Sequence, residues 1–112
     1  MTSDPTLFRW YKRFNRRYFQ GELPVENVVL CWEPVEECDA DCTRIHDAVT
    51  DKETDDFLIR IDPIFRTAER VAKMTLLHEM VHVKLWPQTS HGAHFQREMK
   101  RLASVGAFRG LW

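Results

Sequence analysis

The chain contains one arrangement of side chains suited to metal chemistry, the sequence His78-Glu79-Met80-Val81-His82. On a helix, residues four apart lie on one face a turn apart, so both imidazoles can bind one ion at about 2.0–2.1 Å. Glu79 lies about 100° further round the axis and reaches a water on that ion rather than the ion itself. The spacing therefore predicts a hydrolytic Zn²⁺ centre with Glu79 as general base, provided that a third ligand is supplied and one coordination position stays open.

These residues need a helix to position them, and residues 67–86 have the pattern of one. The segment contains no Gly or Pro, Thr67 is a candidate N-cap, and Pro87 ends the helix because it lacks a backbone N–H. The pattern predicts about five helical turns. The alternative is that His78 and His82 are ordinary side chains, partly buried among Leu, Met and Val.

A second helical pattern, at residues 90–104, follows a turn-rich segment and offers three candidates for the third ligand. His91, His94 and Glu98 are spaced three and four apart, so they are expected along one stripe of that helix. His91 is favoured because the connection before it spans up to about 17 Å, enough to fold back to His82. His94 and Glu98 stay open as alternatives, and a site that bound both His91 and His94 would be closed and structural.

Three segments, in this order, resemble the SprT-like family of zinc metallopeptidases: residues 18–24 (YFQGELP), 75–82 (TLLHEMVH) and 91–95 (HGAHF). The resemblance implies a zincin-like domain that cleaves polypeptides, with DNA-associated proteins among the substrates. It also implies that His78, His82 and His91 bind Zn²⁺ and that Glu79 is the general base. No Cys follows Cys42, so we expect a minimal domain without the C-terminal zinc ribbon that many members carry.

The composition is that of one ordinary globular domain over residues 1–112, with 44% hydrophobic and 29% charged residues. A net charge of −1 gives no overall attraction to nucleic acid or membrane, and no apolar run is long enough to cross a bilayer. The three cysteines, an odd number, fit a reducing compartment better than a disulfide framework. We therefore expect a cytoplasmic monomer without a membrane partner.

The remaining elements predict an α+β fold. An N-terminal helix over residues 4–20 carries an aromatic stripe, and short strands are expected at residues 28–32, 43–50 and 57–62. The expected order is the N-terminal helix, a small three-stranded sheet, the HExxH helix and a closing C-terminal helix. The final residues, Leu111 and Trp112, are expected to pack back on the domain.

The solvent side of the N-terminal helix is predicted to carry five basic residues, Arg9, Lys12, Arg13, Arg16 and Arg17. They fit either a contact with DNA phosphates or a solvated face opposing the acidic segment at residues 33–56. That segment holds ten Asp or Glu against two Lys or Arg and would itself repel DNA.

Two further sets of residues leave alternatives open. Cys38, Cys42 and His46 have spacings that permit a second metal, although ordinary thiols and a surface histidine are the simpler reading. A donor to the oxyanion is not assigned by sequence, and the candidates by chemistry are Tyr11, Tyr18, His94 and Arg109.

Two classes of function remain, a zinc-dependent endopeptidase and a zinc-stabilised binding module without turnover. A purely structural site tends to be closed by four protein ligands and needs no free carboxylate beside the metal. Glu79 therefore favours the enzyme.

Overall fold

The computed structural model describes residues 2–111 and shows three α-helices with one small sheet. In chain order the elements are α1 (Pro5–Tyr18), β1 (Val28–Trp32), β2 (Ala40–His46), β3 (Glu53–Ile61), a short 3₁₀ helix (Pro63–Thr67), α2 (Glu69–Leu85) and α3 (Ala93–Ser104). This architecture confirms the predicted α+β fold, in which the HExxH helix follows the sheet and α3 closes the domain.

The sheet has the strand order β1-β3-β2, which leaves β2 at an edge. Strand β1 runs parallel to β3, whereas β2 runs antiparallel to it. The predicted strand at residues 43–50 was wrong at both ends, because β2 begins earlier and stops at His46. It stops there because the Asp47 side chain accepts hydrogen bonds from the N–H groups of Val49 and Thr50, which holds the chain in a turn.

Helix α1 covers the core with the predicted aromatic stripe. Leu7, Trp10, Tyr11 and Phe14 are buried. The helix begins at Pro5 because the Asp4 side chain accepts the N–H of Leu7 at 3.0 Å. Its apolar face therefore forms one wall of the core, and the basic residues between these positions face solvent.

Helix α2 is buried on most sides because it contacts α1, α3, β2 and β3. Ala72, Leu76, Leu77, Met80 and Val81 have no exposed surface. The predicted start at Thr67 was wrong. That residue ends the 3₁₀ helix, which begins where the Asp62 side chain accepts the N–H of Ile64, and α2 starts only at Glu69.

Helix α3 starts at Ala93, three residues later than the predicted helix at residues 90–104. Gly92 has an extended backbone and occupies the N-cap position without a side-chain cap. At the other end Gly106 has a φ of +85°, a left-handed conformation that ends the helix. Beyond it, Leu111 packs against the core, whereas Trp112 lies outside the described residues.

One buried carboxylate fixes α3 to the rest of the domain. The Glu98 side chain is 9% exposed, forms an ion pair with Lys84 of α2 at 2.9 Å and accepts a hydrogen bond from Arg101 Nε at 2.9 Å. Arg101 also donates to the Tyr18 carbonyl at 2.7 Å. Burial alone would raise the pKa of Glu98, but the bonds from Arg101 and Lys84 outweigh it and lower that pKa.

We predict that Glu98→Gln lowers the free energy of unfolding by about 1–3 kcal/mol, because two cations lose their buried partner. The folded-state pKa of Glu98 is depressed, so its contribution is present above the unfolded-state value of about 4.3 and is lost as the pH falls further. Urea unfolding of both proteins at pH 7 and pH 3 measures this, and the difference should shrink at pH 3. The control is Glu69→Gln, which removes an exposed pair with Lys73. Equal losses in the two variants would contradict the assignment.

Candidate metal centre

The structure brings His78, His82 and His91 together into one cluster. The Nε2 atom of His91 lies 3.2 Å from the Nε2 atoms of both His78 and His82. All three donor atoms lie within 4.8 Å of one another. A tetrahedral ion at about 2.0–2.1 Å from each nitrogen would separate the nitrogens by about 3.3 Å, so the cluster fits such an ion.

The protonation of the cluster also suits a metal. Burial, and then the neighbouring histidines, lower the pKa of His82 to about 4. Burial followed by the charge of His91 lowers the pKa of His78 as well. Both imidazoles are therefore neutral at physiological pH, which is the form that binds a metal.

Two of the three histidines are positioned by helix α2, and the third is positioned by the backbone before α3. His78 and His82 lie one turn apart on α2, as the spacing predicted. His91 lies before α3, so the expectation of a single stripe with His94 and Glu98 was wrong. The extended backbone at Gly92 directs His91 towards α2, and the Gln96 side chain donates to the carbonyl of His91 at 3.2 Å.

Phe95 organises the three imidazoles and was not foreseen as a functional residue. Its ring centroid lies 4.8, 4.9 and 4.7 Å from those of His78, His82 and His91. Phe95 is 4% exposed, so it forms the floor against which the rings pack. The sequence indicated only an apolar position on the core side of a helix.

The two alternative third ligands lie outside the cluster. His94 is exposed on the first turn of α3. Glu98 is held by Lys84 and Arg101 instead. Among the residues that the structure describes, only His78, His82 and His91 form a group that could hold a metal ion.

Glu79 lies beside the cluster and is 5% exposed. Within residues 2–111 its carboxylate has no hydrogen bond and no ion pair. Burial, and then the negative charge of Asp41, raise the pKa of Glu79 to about 7. A dication held by the histidines would favour the carboxylate and lower this pKa. Its place beside the cluster makes Glu79 the candidate general base of the site.

The cluster opens into a cleft of about 740 Å³ between α2 and the edge strand β2. Besides the three histidines and Glu79, the lining residues are Cys38, Asp39, Ala40, Asp41, Cys42, Val71, Met74, Thr75, Trp86, Thr89, Met99 and Phe108. None of the four candidate oxyanion donors lines this cleft. Tyr11 is fully buried and donates its hydroxyl to the Pro24 carbonyl at 2.6 Å.

Two threonine hydroxyls line the cleft instead, and sequence reasoning had not singled them out. Thr75 donates to the Val71 carbonyl at 2.8 Å. Thr89 has no hydrogen bond from its hydroxyl within residues 2–111, so it is the hydroxyl available to a ligand.

The cysteines do not form a second metal group in the described part of the chain. All three are free thiols. His46 lies at the end of β2 beside Asp51, with Nδ1 3.5 Å from the carboxylate. Burial, and then the charges of Glu79 and Asp41, raise the pKa of Cys42 to about 12, so this thiol stays protonated. The structure therefore favours ordinary thiols and a surface histidine over a second metal site at these residues.

Fold and cluster together define a small α+β domain with a candidate three-histidine metal site. The SprT-like family model matches residues 7–110, and the chain belongs to the SprT-like family. Neither curated proteins nor solved structures gave a match. In the described residues no helix is both long and apolar enough to cross a bilayer. Family and cluster are compatible with a metal-dependent protease.

We predict about one zinc ion per chain, bound by the three clustered histidines. His91→Ala should lose most of that zinc, because two imidazoles alone make a weak site. His94→Ala is the matched control, since this exposed histidine lies three residues away and outside the cluster. Mass spectrometry of metal content on the purified proteins measures both. Zinc lost equally from both variants would show that the site is closed by four protein ligands.

Proposed function

We propose that the chain is a zinc-dependent peptidase that hydrolyses peptide bonds in protein substrates. The observation that carries this proposal is the buried, unpaired carboxylate of Glu79 beside three imidazole nitrogens at metal-binding separations. His78, His82 and His91 would hold the ion. A structural site gains nothing from such a carboxylate, whereas hydrolysis requires one.

Zinc, when bound, supplies a Lewis acid that polarises a carbonyl and lowers the pKa of water towards about 7. Glu79 accepts the proton of the attacking water and delivers it to the nitrogen of the leaving amine. Glu79 lines the cleft, so its carboxylate can reach a water at the histidine cluster. Thr89, at the cleft wall, is the candidate donor to the developing oxyanion.

The edge strand β2 supplies a means of holding the substrate. Its outer edge presents backbone N–H and C=O groups along the cleft, where residues 40–42 form part of the lining. An extended polypeptide can pair with that edge and pass its main chain across the histidine cluster. Unstructured segments of proteins are therefore the expected substrates.

The alternative function is a zinc-stabilised binding module without turnover. It requires a fourth protein ligand or an inert carboxylate. The cluster contains three ligands among the described residues, and Glu79 has no ion pair there to hold it inert. The peptidase is therefore the better-supported proposal.

We predict that Glu79→Gln retains zinc and fold but lowers peptide cleavage by about 10²–10⁴-fold, because the amide cannot accept a proton. Cleavage of denatured casein by the zinc-loaded protein measures the loss, with thermal unfolding to verify the fold. Glu69→Gln, at the exposed start of the same helix, is the matched control and should retain activity. Equal activity of Glu79→Gln and wild type would remove the general-base role.

A second proposal concerns DNA. Arg9, Lys12, Arg13, Arg16 and Arg17 are all exposed on α1. Within residues 2–111 none of them forms an ion pair with an acidic side chain. Two carboxylates of the acidic segment, Glu33 and Asp41, form ion pairs with Arg60 rather than with α1. The charge on α1 is thus not neutralised within the described structure. We propose that this basic face contacts phosphates and brings the peptidase to DNA-associated proteins.

We predict that replacing Arg13, Arg16 and Arg17 by Gln weakens binding to single-stranded DNA. The slope of log K against log salt should fall in magnitude by about 2, because three phosphate contacts are lost. Fluorescence anisotropy at several salt concentrations measures this. The matched control neutralises Arg97 and Lys100, two exposed cations on α3. An unchanged slope in the α1 variant would contradict the proposed surface.

The three free thiols support an intracellular, reducing location, and we propose the cytoplasm as the compartment.

A further inference from the structure

One side of the cleft is apolar, and it combines residues packed against the core with one exposed side chain. Met74 and Val71 lie four and seven residues before His78 on α2, on the same face as that histidine. Val71 is 43% exposed, although the core is already filled by the opposite face of this helix. Met99 of α3 and Phe108 reach the same wall. Three separate elements therefore converge on one apolar surface beside the histidine cluster.

The distances match the spacing of an extended peptide. Met74 lies about 6 Å and Val71 about 10 Å along the helix axis from His78. An extended chain advances about 3.3 Å per residue. When the scissile peptide bond lies at the histidine cluster, a residue next to that bond can therefore place its side chain against this wall. Two methionines in the wall can adapt to side chains of different shape.

The direction of β2 determines whether the residue before or the residue after the scissile bond lies against the wall. Strand β2 starts beside the beginning of α2, because the N–H of Asp62, seven residues before that helix, donates to the Asp39 carbonyl at 2.8 Å. At the other end of both elements, the Arg44 guanidinium lies 5.8 Å from the Trp86 ring. Strand β2 and helix α2 therefore run in the same sense along the cleft. A peptide pairing antiparallel to β2, the more stable arrangement, enters beside Trp86 and leaves beside Val71.

We propose that the wall formed by Val71, Met74, Met99 and Phe108 is the specificity pocket for the residue that follows the scissile bond, and that it selects a large apolar side chain. This inference rests on the proposed peptidase function. Substrate side chains of Leu, Ile, Met and Phe can pack against this wall. Asp and Glu are rejected, because the wall cannot solvate a carboxylate and the cleft also carries the carboxylate of Asp39.

The test is to digest a library of unstructured peptides and to sequence the new N-termini by mass spectrometry. We expect Leu, Ile, Met and Phe to be enriched as the first residue after the cut, and Asp and Glu to be depleted. Val71→Asp should reduce kcat/KM for peptides with an apolar residue at this position about 10–100-fold relative to peptides with Ala. Val105→Asp is the matched control, because Val105 is 53% exposed and does not line the cleft.

A binding measurement gives a readout that does not depend on turnover. The Glu79→Gln protein, loaded with zinc, should bind a fluorescent ten-residue peptide about tenfold more tightly with Phe than with Asp after the mapped cleavage position. Adding Val71→Asp to this protein should abolish the difference.

The outcomes separate the two proposals. Cleavage with no preference at this position would overturn the specificity and leave the peptidase intact. Enrichment of apolar residues before the cut would show that the peptide runs parallel to β2 and would overturn the assignment. Absence of both cleavage and peptide binding would overturn the peptidase itself, and the specificity with it.

Discussion

The packing of Phe95 against three imidazole rings is the contact on which the site depends. Two of the histidines are fixed by the periodicity of α2, whereas His91 comes from a loop and needs a partner that orients its ring. Phe95 provides that surface because it is buried between α2 and α3 and lies within 5 Å of each ring. One turn later Glu98 joins Lys84 and Arg101, which holds α3 in position. The spacing of the donor atoms is therefore a result of how the two helices dock.

A second constraint comes from the edge strand. Strand β2 closes one side of the cleft, and Glu79 is enclosed between it and α2. Burying an unpaired carboxylate opposes folding, because water solvates the charge better than the protein interior does. The fully buried apolar residues of α2 offset that cost: Ala72, Leu76, Leu77, Met80 and Val81. Within residues 2–111 the Glu79 carboxylate has no hydrogen bond or ion pair, so this position of α2 is a local exception to favourable packing, of the kind that occurs at functional sites.

The sequence was sufficient for the features that depend on local periodicity. The four-residue spacing of His78 and His82 placed them on one helical face. The aromatic stripe identified α1, and an uninterrupted run without Gly or Pro before Pro87 identified α2. The short connection before His91 limited where this residue could lie. These inferences required only helix geometry and chain length. The structure confirms the predicted α+β fold and brings His78, His82 and His91 together.

Other features depended on contacts between residues distant in the chain, and single-sequence reasoning missed them. His91 was placed on a helix, but the extended backbone of Gly92 puts it before α3. Strand β2 was shifted because the Asp47 turn and pairing with β3 determine its limits. The role of Phe95 could not be predicted from the sequence. A phenylalanine on the core-facing side of a helix has the same sequence pattern whether or not histidine rings pack against it.

A crystal structure of the zinc-loaded protein, with anomalous diffraction data at the zinc edge, tests the three-histidine site most directly. We expect one anomalous peak at about 2.0–2.1 Å from the Nε2 atoms of His78, His82 and His91, with the fourth position held by a non-protein atom near Glu79. A zinc ion bound by a fourth protein side chain, or located away from these three nitrogens, would contradict it.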